Sequence, residues 1–195
     1  MIGLDHEYIA TDAPSGAEPP QQRPDPRVTY CEVMQMGACK LNSGGEEIDI
    51  LNRIVKGHRL RTVPIWLSNM TGLTTQHRED EGVSFPEAFD ELVAFIGNER
   101  PWVFNLDWYV LRANAQAHGI SFPFDEEFRR VKSELARYGV GIDAYRAKGF
   151  DEVNSGHLYA VLGLQLPVIE GVGAHDAAHD ARSIAYSMHH LRYWE

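Results

Sequence analysis

"VTYCEVMQMGACKL" runs from Val28 to Leu41, "NSGG" follows at 42–45, and "EEIDILNRIV" completes the stretch at 46–55. Two β-rich segments separated by a Gly-containing turn signal predict a hairpin. Upstream, "MIGLDHEYIA" at 1–10 opens as a short apolar run suited to a buried strand. The first three strands therefore read as an antiparallel meander. Between them, "TDAPSGAEPPQQRPDPR" at 11–27 is rich in Pro, Gly and polar residues and lacks periodicity, so it reads as a surface loop.

Downstream the period changes. In "SFPEAFDELVAFIG" (84–97), Phe85, Phe89, Leu92, Val93 and Ile96 recur at helical spacing, with Ser84 as cap, Pro86 in the first turn and Gly97 at the end. "PWVFNLDWYVLRANAQAHG" (101–119) reads as a short strand, Trp102 to Asn105, then a helix ended by Gly119. "FDEEFRRVKSELARYG" (124–139) reads as an amphipathic helix capped by Asp125, with Phe128, Val131 and Leu135 inward. "VGIDAY" (140–145) reads as a fifth strand, and "NSGHLYAVLGL" (154–164) as a short helix capped by Asn154 or Ser155. The sum is an α/β fold: a central mixed five-stranded sheet, three antiparallel strands then parallel ones, flanked by helices. With 195 residues, 44% of them hydrophobic, one domain over 1–195 is expected.

Composition narrows the function classes. The net charge of −10, from 18 basic and 28 acidic residues, argues against a broad grip on duplex nucleic acid but not against a small pocket for one strand end. No apolar stretch suits a membrane span and no basic-then-apolar leader opens the chain, so a cytoplasmic protein is expected. Cys31 and Cys39 lie too far apart along one strand to join, and read as buried thiols. "HREDE" at 77–81 reads as a solvated loop. Tyr8, Trp66, Trp108, Tyr193 and Trp194 could stack on bases, although packing is the ordinary use of such residues; Trp108, beside Asp107, is the first to test.

The chemistry concentrates near the end of the chain, in "GVGAHDAAHDARSIAYSMHHL" (171–191). Ala177, Ala181, Ile184, Ala185, Met188 and Leu191 form a helical apolar stripe, which Asp180 borders and from which His179 points away. "HDAAH" approximates the zinc-hydrolase pattern H-E-x-x-H, but Asp is shorter than the Glu base of that motif, and the histidines would point away from the packed side. A second reading uses Gly171 and Gly173 to put His175 on a loop, free to swing over a site, while the helix holds Asp180. Asp176 and His179 then face solvent.

Asp5 and Glu7 share one face of the first strand, and Asp107 follows another strand and begins a helix. Strand ends and helix starts on one sheet edge are where α/β folds build sites, and there these acids and Asp180 could converge. Packed together they would repel unless two divalent cations matched their charge, and oxygen ligands favour Mg²⁺ or Mn²⁺. Two such ions can activate water on one side of a phosphorus centre and stabilise the leaving oxygen on the other. A neutral His175 suits the role of proton acceptor.

In order and context these motifs resemble the DEDD-type 3′→5′ exonucleases of the ribonuclease H-like fold, in the DEDDh branch whose last motif is His-x-Ala-x-x-Asp. "LDHE" stands at the first motif, "CEVMQMGACKL" at the second strand, "MTGLT" at the Thr-Gly-Ile/Leu-Thr segment, "FPEAFDELVAFIG" at the following helix, "FNLDWYVL" at the second motif and "HDAAHD" at the last. The resemblance covers the chain except the Pro-rich loop, and is closest to the subgroup that trims RNA 3′ ends. It implies that Asp5, Glu7, Asp107 and Asp180 bind two Mg²⁺ or Mn²⁺ ions and that His175 is the general base. The implied reaction hydrolyses phosphodiesters at the 3′ end of single-stranded RNA or DNA, RNA favoured, releasing nucleoside 5′-monophosphates. It also implies Leu73 against the terminal base and backbone near Glu7 at the terminal sugar. Tyr8, Asn105 and Trp108 are further candidate substrate contacts, read from the residues themselves.

The chain departs from the family pattern in three places. Glu7 is followed by "YIATDAP" rather than Thr-Gly, Asn105 stands only two residues before Asp107, and Gln35 replaces a common Glu without expected effect on catalysis. A non-catalytic module holding a nucleic-acid end or a partner protein, and a single-zinc hydrolase using His175 and His179, are the alternatives. RNA versus DNA, substrate length and homodimer formation stay open; the acidic charge favours short or single-stranded substrates.

Overall fold

A computed structural model of the chain describes residues 1–10, 31–167 and 175–192. The Pro-rich segment 11–27, Gly171, Gly173, Tyr193 and Trp194 lie outside the described residues.

The expected meander forms. Strands β1 (Ile2–Ala10), β2 (Cys31–Leu41) and β3 (Glu47–Ile54) pair antiparallel, with Asp5 opposite Gly37 and Glu7 opposite Gln35. The β2–β3 turn is built by Asn42, whose Oδ1 accepts the N–H groups of Gly44 and Glu46 at 2.8 and 3.0 Å, and by Gly45 at φ 82°. Short strands β4 (Trp102–Val103) and β5 (Arg129–Arg130) add in parallel on the other side of β1, giving the order β3-β2-β1-β4-β5.

The two faces of the sheet are covered differently. On one, α3 (Phe85–Ile96), capped by Ser84, and α4 (Asp107–Ala117) enclose Ile2, Leu4, Met36 and Ala38 in the main core. On the other, α8 (Ala177–Arg192) lies directly on β1 and β2, because Gly3 and Gly37 leave room for its backbone. A Cβ at Gly37 would stand 2.0 Å from Ala177 C, and one at Gly3 would stand 2.3 Å from Ala181 O. The whole expected stripe of α8, from Ala177 to Leu191, is buried.

Four expectations are corrected. The fifth strand is Arg129–Arg130, not "VGIDAY", which forms helix α6 (Ile142–Ala147). Its Tyr145 is fully buried, with the hydroxyl donating to Asn154 O at 2.8 Å. The helix expected from Asp125 therefore begins only at Val131, as α5 (Val131–Arg137), and the fourth strand stops at Val103. "HREDE" is largely helix α2 (Thr75–Asp80), and Arg78 within it is only 1% exposed. Its guanidinium donates to Val55 O and Leu60 O and pairs with Glu32 at 3.1 Å, while Glu32 accepts the N–H groups of His58, Arg59 and Leu60. Burial alone would push the Glu32 carboxyl up, but those N–H groups and Arg78 outweigh it and hold it below its ordinary value. This ion pair pins the chain after β3 onto β2.

Cys31 and Cys39 are buried free thiols, the latter's ionisation pushed up chiefly by burial. Among the described residues no helix is long and apolar enough to cross a membrane.

Candidate active site

A cleft of about 170 Å³ opens at the carboxyl ends of β1 and β4, lined by Asp5, Glu7, Asp107, His175 and Asp180 among others. The acids are nearly enclosed: Asp5 and Asp107 are each 7% exposed, Glu7 3% and Asp180 2%. Ligand atoms of Glu7, His175 and Asp180 lie within 4.8 Å of one another. A set of carboxylate oxygens with one imidazole nitrogen, gathered in one cleft, fits divalent metal binding.

Each side chain is set by a different element. Asp5 and Glu7 alternate out of β1 toward α8, and the β1–β2 register slips between Glu7 and Tyr8, an irregularity of the kind that re-aims side chains at a site. Asp107 stands in the first turn of α4; its Oδ1 meets His6 Nδ1 at 3.2 Å and its Oδ2 accepts Asn105 N–H at 3.4 Å. Asp180 Oδ2 accepts the Ser155 hydroxyl at 2.7 Å, and Oδ1 accepts His175 N–H at 3.2 Å. Burial and then the charge of Asp180 hold the Tyr145 phenol protonated well past its usual range.

His175 is the one non-glycine at positive φ among the described residues, at 67°. Such a conformation costs on the order of 1–2 kcal/mol for a residue with a Cβ and persists where the surroundings enforce it. The enforcement comes from both sides. Asp180 holds the His175 amide, and Asp176 caps α8, its Oδ1 accepting from Ala178 and His179 N–H at 3.0 and 3.1 Å. Gln35 then clamps the cap: Nε2 donates to Asp176 Oδ2 at 2.8 Å and to Asn52 Oδ1 at 2.9 Å, while Oε1 accepts Ala177 N–H at 3.2 Å.

Asp176 and His179 are therefore not solvent-facing, contrary to the helical-wheel expectation. His179 is half-buried, its Nε2 3.2 Å from Gly156 O and its ring edge-on to Tyr159. Residues 154–159 cover the side of α8 that a single helix, taken alone, would expose. His179 is turned to that carbonyl and stands outside the Glu7–His175–Asp180 cluster, which counts against the zinc pair.

Of the expected substrate contacts, Tyr8 and Asn105 line the cleft. Leu73 lies outside it, packed with Ile9, Met34, Val63 and Leu67 and bordering a neighbouring cleft shared with Gln35 and Asp176. Trp108 is corrected. It is 7% exposed and packs edge-on to Tyr109 and Phe122, because one helical step from Asp107 turns it about 100° into the core. His6, Gln35, Ser155 and Lys132 were missed. His6 alternates away from Asp5 and Glu7, and the roles of Ser155 and Gln35 depend on contacts 25 and 141 residues away in sequence.

No family model and no curated protein sequence matches the chain. Solved structures do. The nuclease domain of 3′hExo, a DEDDh family member bound to rAMP, superposes with a TM-score of 0.68 at 16% identity, covering 99% of this chain and 90% of that one. Cell-death related nuclease 4 (CRN-4) gives 0.66 at 16% identity over 99% and 64% of the two chains. A moderately thermophilic exonuclease I from Methylocaldum szegediense gives 0.60 at 17% identity, over 98% and 40%. The chain thus has the ribonuclease H-like α/β fold of these exonucleases.

Proposed function

We propose that the protein is a metal-dependent 3′→5′ exonuclease that removes nucleoside 5′-monophosphates from single-stranded nucleic acid, RNA in preference to DNA. The observation that carries the reading is the meeting of four nearly buried carboxylates and a loop-borne histidine in one cleft. Asp5, Glu7, Asp107 and Asp180 would hold two Mg²⁺ or Mn²⁺ ions, which when bound supply charge neutralisation and polarisation of the phosphodiester. The fold shared with nucleases, among them a 3′-exonuclease described in its specific recognition of a histone mRNA stem-loop, supports the polarity and the RNA preference.

The chain's own residues divide the work. His175 takes the proton of the attacking water as its oxygen bonds to phosphorus; the bond from phosphorus to the preceding nucleotide's 3′ oxygen breaks, that oxygen takes a proton from solvent water, and His175 returns its proton to solvent. The His175 backbone amide and Ser155 fix Asp180, and His6 fixes Asp107, so the acids keep their places through the reaction. Tyr8 and Asn105 border the terminal nucleotide, and Leu73 borders the route beside it.

The test is a panel of 5′-labelled RNA and DNA oligonucleotides incubated with Mn²⁺. A ladder shortening from the 3′ end, faster on RNA and abolished by EDTA, is the expected result. Intact substrate, or products shortened from the 5′ end, would overturn the reading.

A further inference from the structure

At the opposite end of the sheet, where β1 and β4 begin, a second cleft of about 830 Å³ opens among Met1, Asn42, Arg100, Trp102, Arg129 and Arg192. In a chain of net charge −10 this cleft is cationic. Its one acidic lining residue among the described residues, Glu99, already faces the Met1 amine at 3.4 Å and Lys40 at 3.7 Å. Arg100 is held by Glu126 and by Glu127 O.

Arg129 and Arg192 differ from Arg100. Their guanidinium carbons lie over the Trp102 ring, 5.4 and 5.8 Å from its centroid, and neither guanidinium has a hydrogen bond or an ion pair among the described residues. Stacking on an indole orients a guanidinium while leaving its in-plane N–H fork available to an oxyanion. Two such forks beside one Trp, with no carboxylate to answer them among the described residues, make a prepared phosphate site. The chain just past this strand continues the pattern. Phe104, two residues beyond Trp102, carries Lys132 over its ring at 5.1 Å, and Phe104 and Lys132 both line the catalytic cleft.

We propose that Arg129 and Arg192 bind the phosphodiester backbone of the strand whose 3′ end enters the catalytic cleft, with Lys132 on the path between. The proposal rests on the exonuclease reading for the nature of its ligand. From Asp180 to Arg192 the helix rises about 18 Å, so only substrates several nucleotides long reach both ends. A cation at the rim of the catalytic cleft, Lys132 over Phe104, on the side toward Trp102, is what favours a nucleic-acid strand over an acidic protein segment.

The experiment compares wild type, R129Q/R192Q and R129K/R192K on a dinucleotide and on a twenty-nucleotide strand. Turnover is measured with Mn²⁺, and binding by anisotropy in EDTA across a salt series. For R129Q/R192Q we expect KM on the long strand to rise about tenfold with kcat unchanged, and dinucleotide turnover to stay at the wild-type level. The log–log salt slope for single-strand binding should become shallower by about 1.4, as loss of two phosphate contacts requires, and the lysine pair should restore most of it. An unchanged long-strand KM and salt slope in R129Q/R192Q would overturn the exosite. Absence of any cleavage by wild type would instead overturn the exonuclease reading, and the anisotropy arm would still decide the exosite.

Discussion

The two ends of helix α8 lie at opposite ends of the same sheet and are held in opposite ways. At its amino end the polar groups of the cleft are tied by directed hydrogen bonds: Asp176 to Gln35, Asp180 to Ser155 and to the His175 amide. At its carboxyl end Arg192 is held over Trp102 by stacking, with no directed partner among the described residues. Directed bonds fix atoms to within tenths of an ångström, as chemistry needs; stacking fixes a plane and leaves the charge adaptable, as a backbone grip needs.

The largest effect should come from breaking the tied end. Asp180→Asn is expected to lower the rate of 3′-end cleavage by about three orders of magnitude, measured in single-turnover assays with Mn²⁺, while circular dichroism stays native. A rate within a factor of two of wild type would remove Asp180 from the site.

Next is the contact that seats the whole helix. Gly37→Ala places a Cβ 2.0 Å from Ala177 C, a backbone atom that cannot swing aside, so about 3 kcal/mol of stability should be lost in urea melts. Arg192→Gln, at the stacked end, should shift the same melt by no more than about 0.5 kcal/mol. Equal losses from both would erase the contrast between the ends.

A subtler change tests the hydrogen-bond layer behind the acids. Ser155→Ala should reduce apparent Mn²⁺ affinity by about 10–100-fold with fold and melting midpoint retained, and Ser155→Thr should recover part of it. Metal titration followed by activity reads the difference; an unchanged affinity would show that Asp180 keeps its place without the hydroxyl.

The legibility of this molecule follows the same division. The meander and the stripe of α8 could be read because each announces itself through local period or turn chemistry; the five residues that meet in the candidate site could be read only from the order and context of their motifs taken together, which carry the family resemblance. β5 could not: two arginines carry no period, and only the pairing with Trp102 and Val103 makes them a strand. Arg78 sits among charged neighbours, and nothing local tells that Glu32, 46 residues away, waits for it in the core. A wheel drawn for one helix omits the segment at 154–159 that covers His179, and it omits Gln35, 141 residues away in sequence, against which Asp176 caps the helix. Trp108 was drawn to the cleft by adjacency to Asp107 in sequence, although consecutive helical residues point in different directions.

Gly3 and Gly37 have one more consequence. Because α8 meets the sheet at backbone level there, the two glycines set how low the helix sits, and with it the depth at which Asp180 enters the cleft. The position of a carboxylate at the helix's amino end is thus fixed by two missing methyl groups.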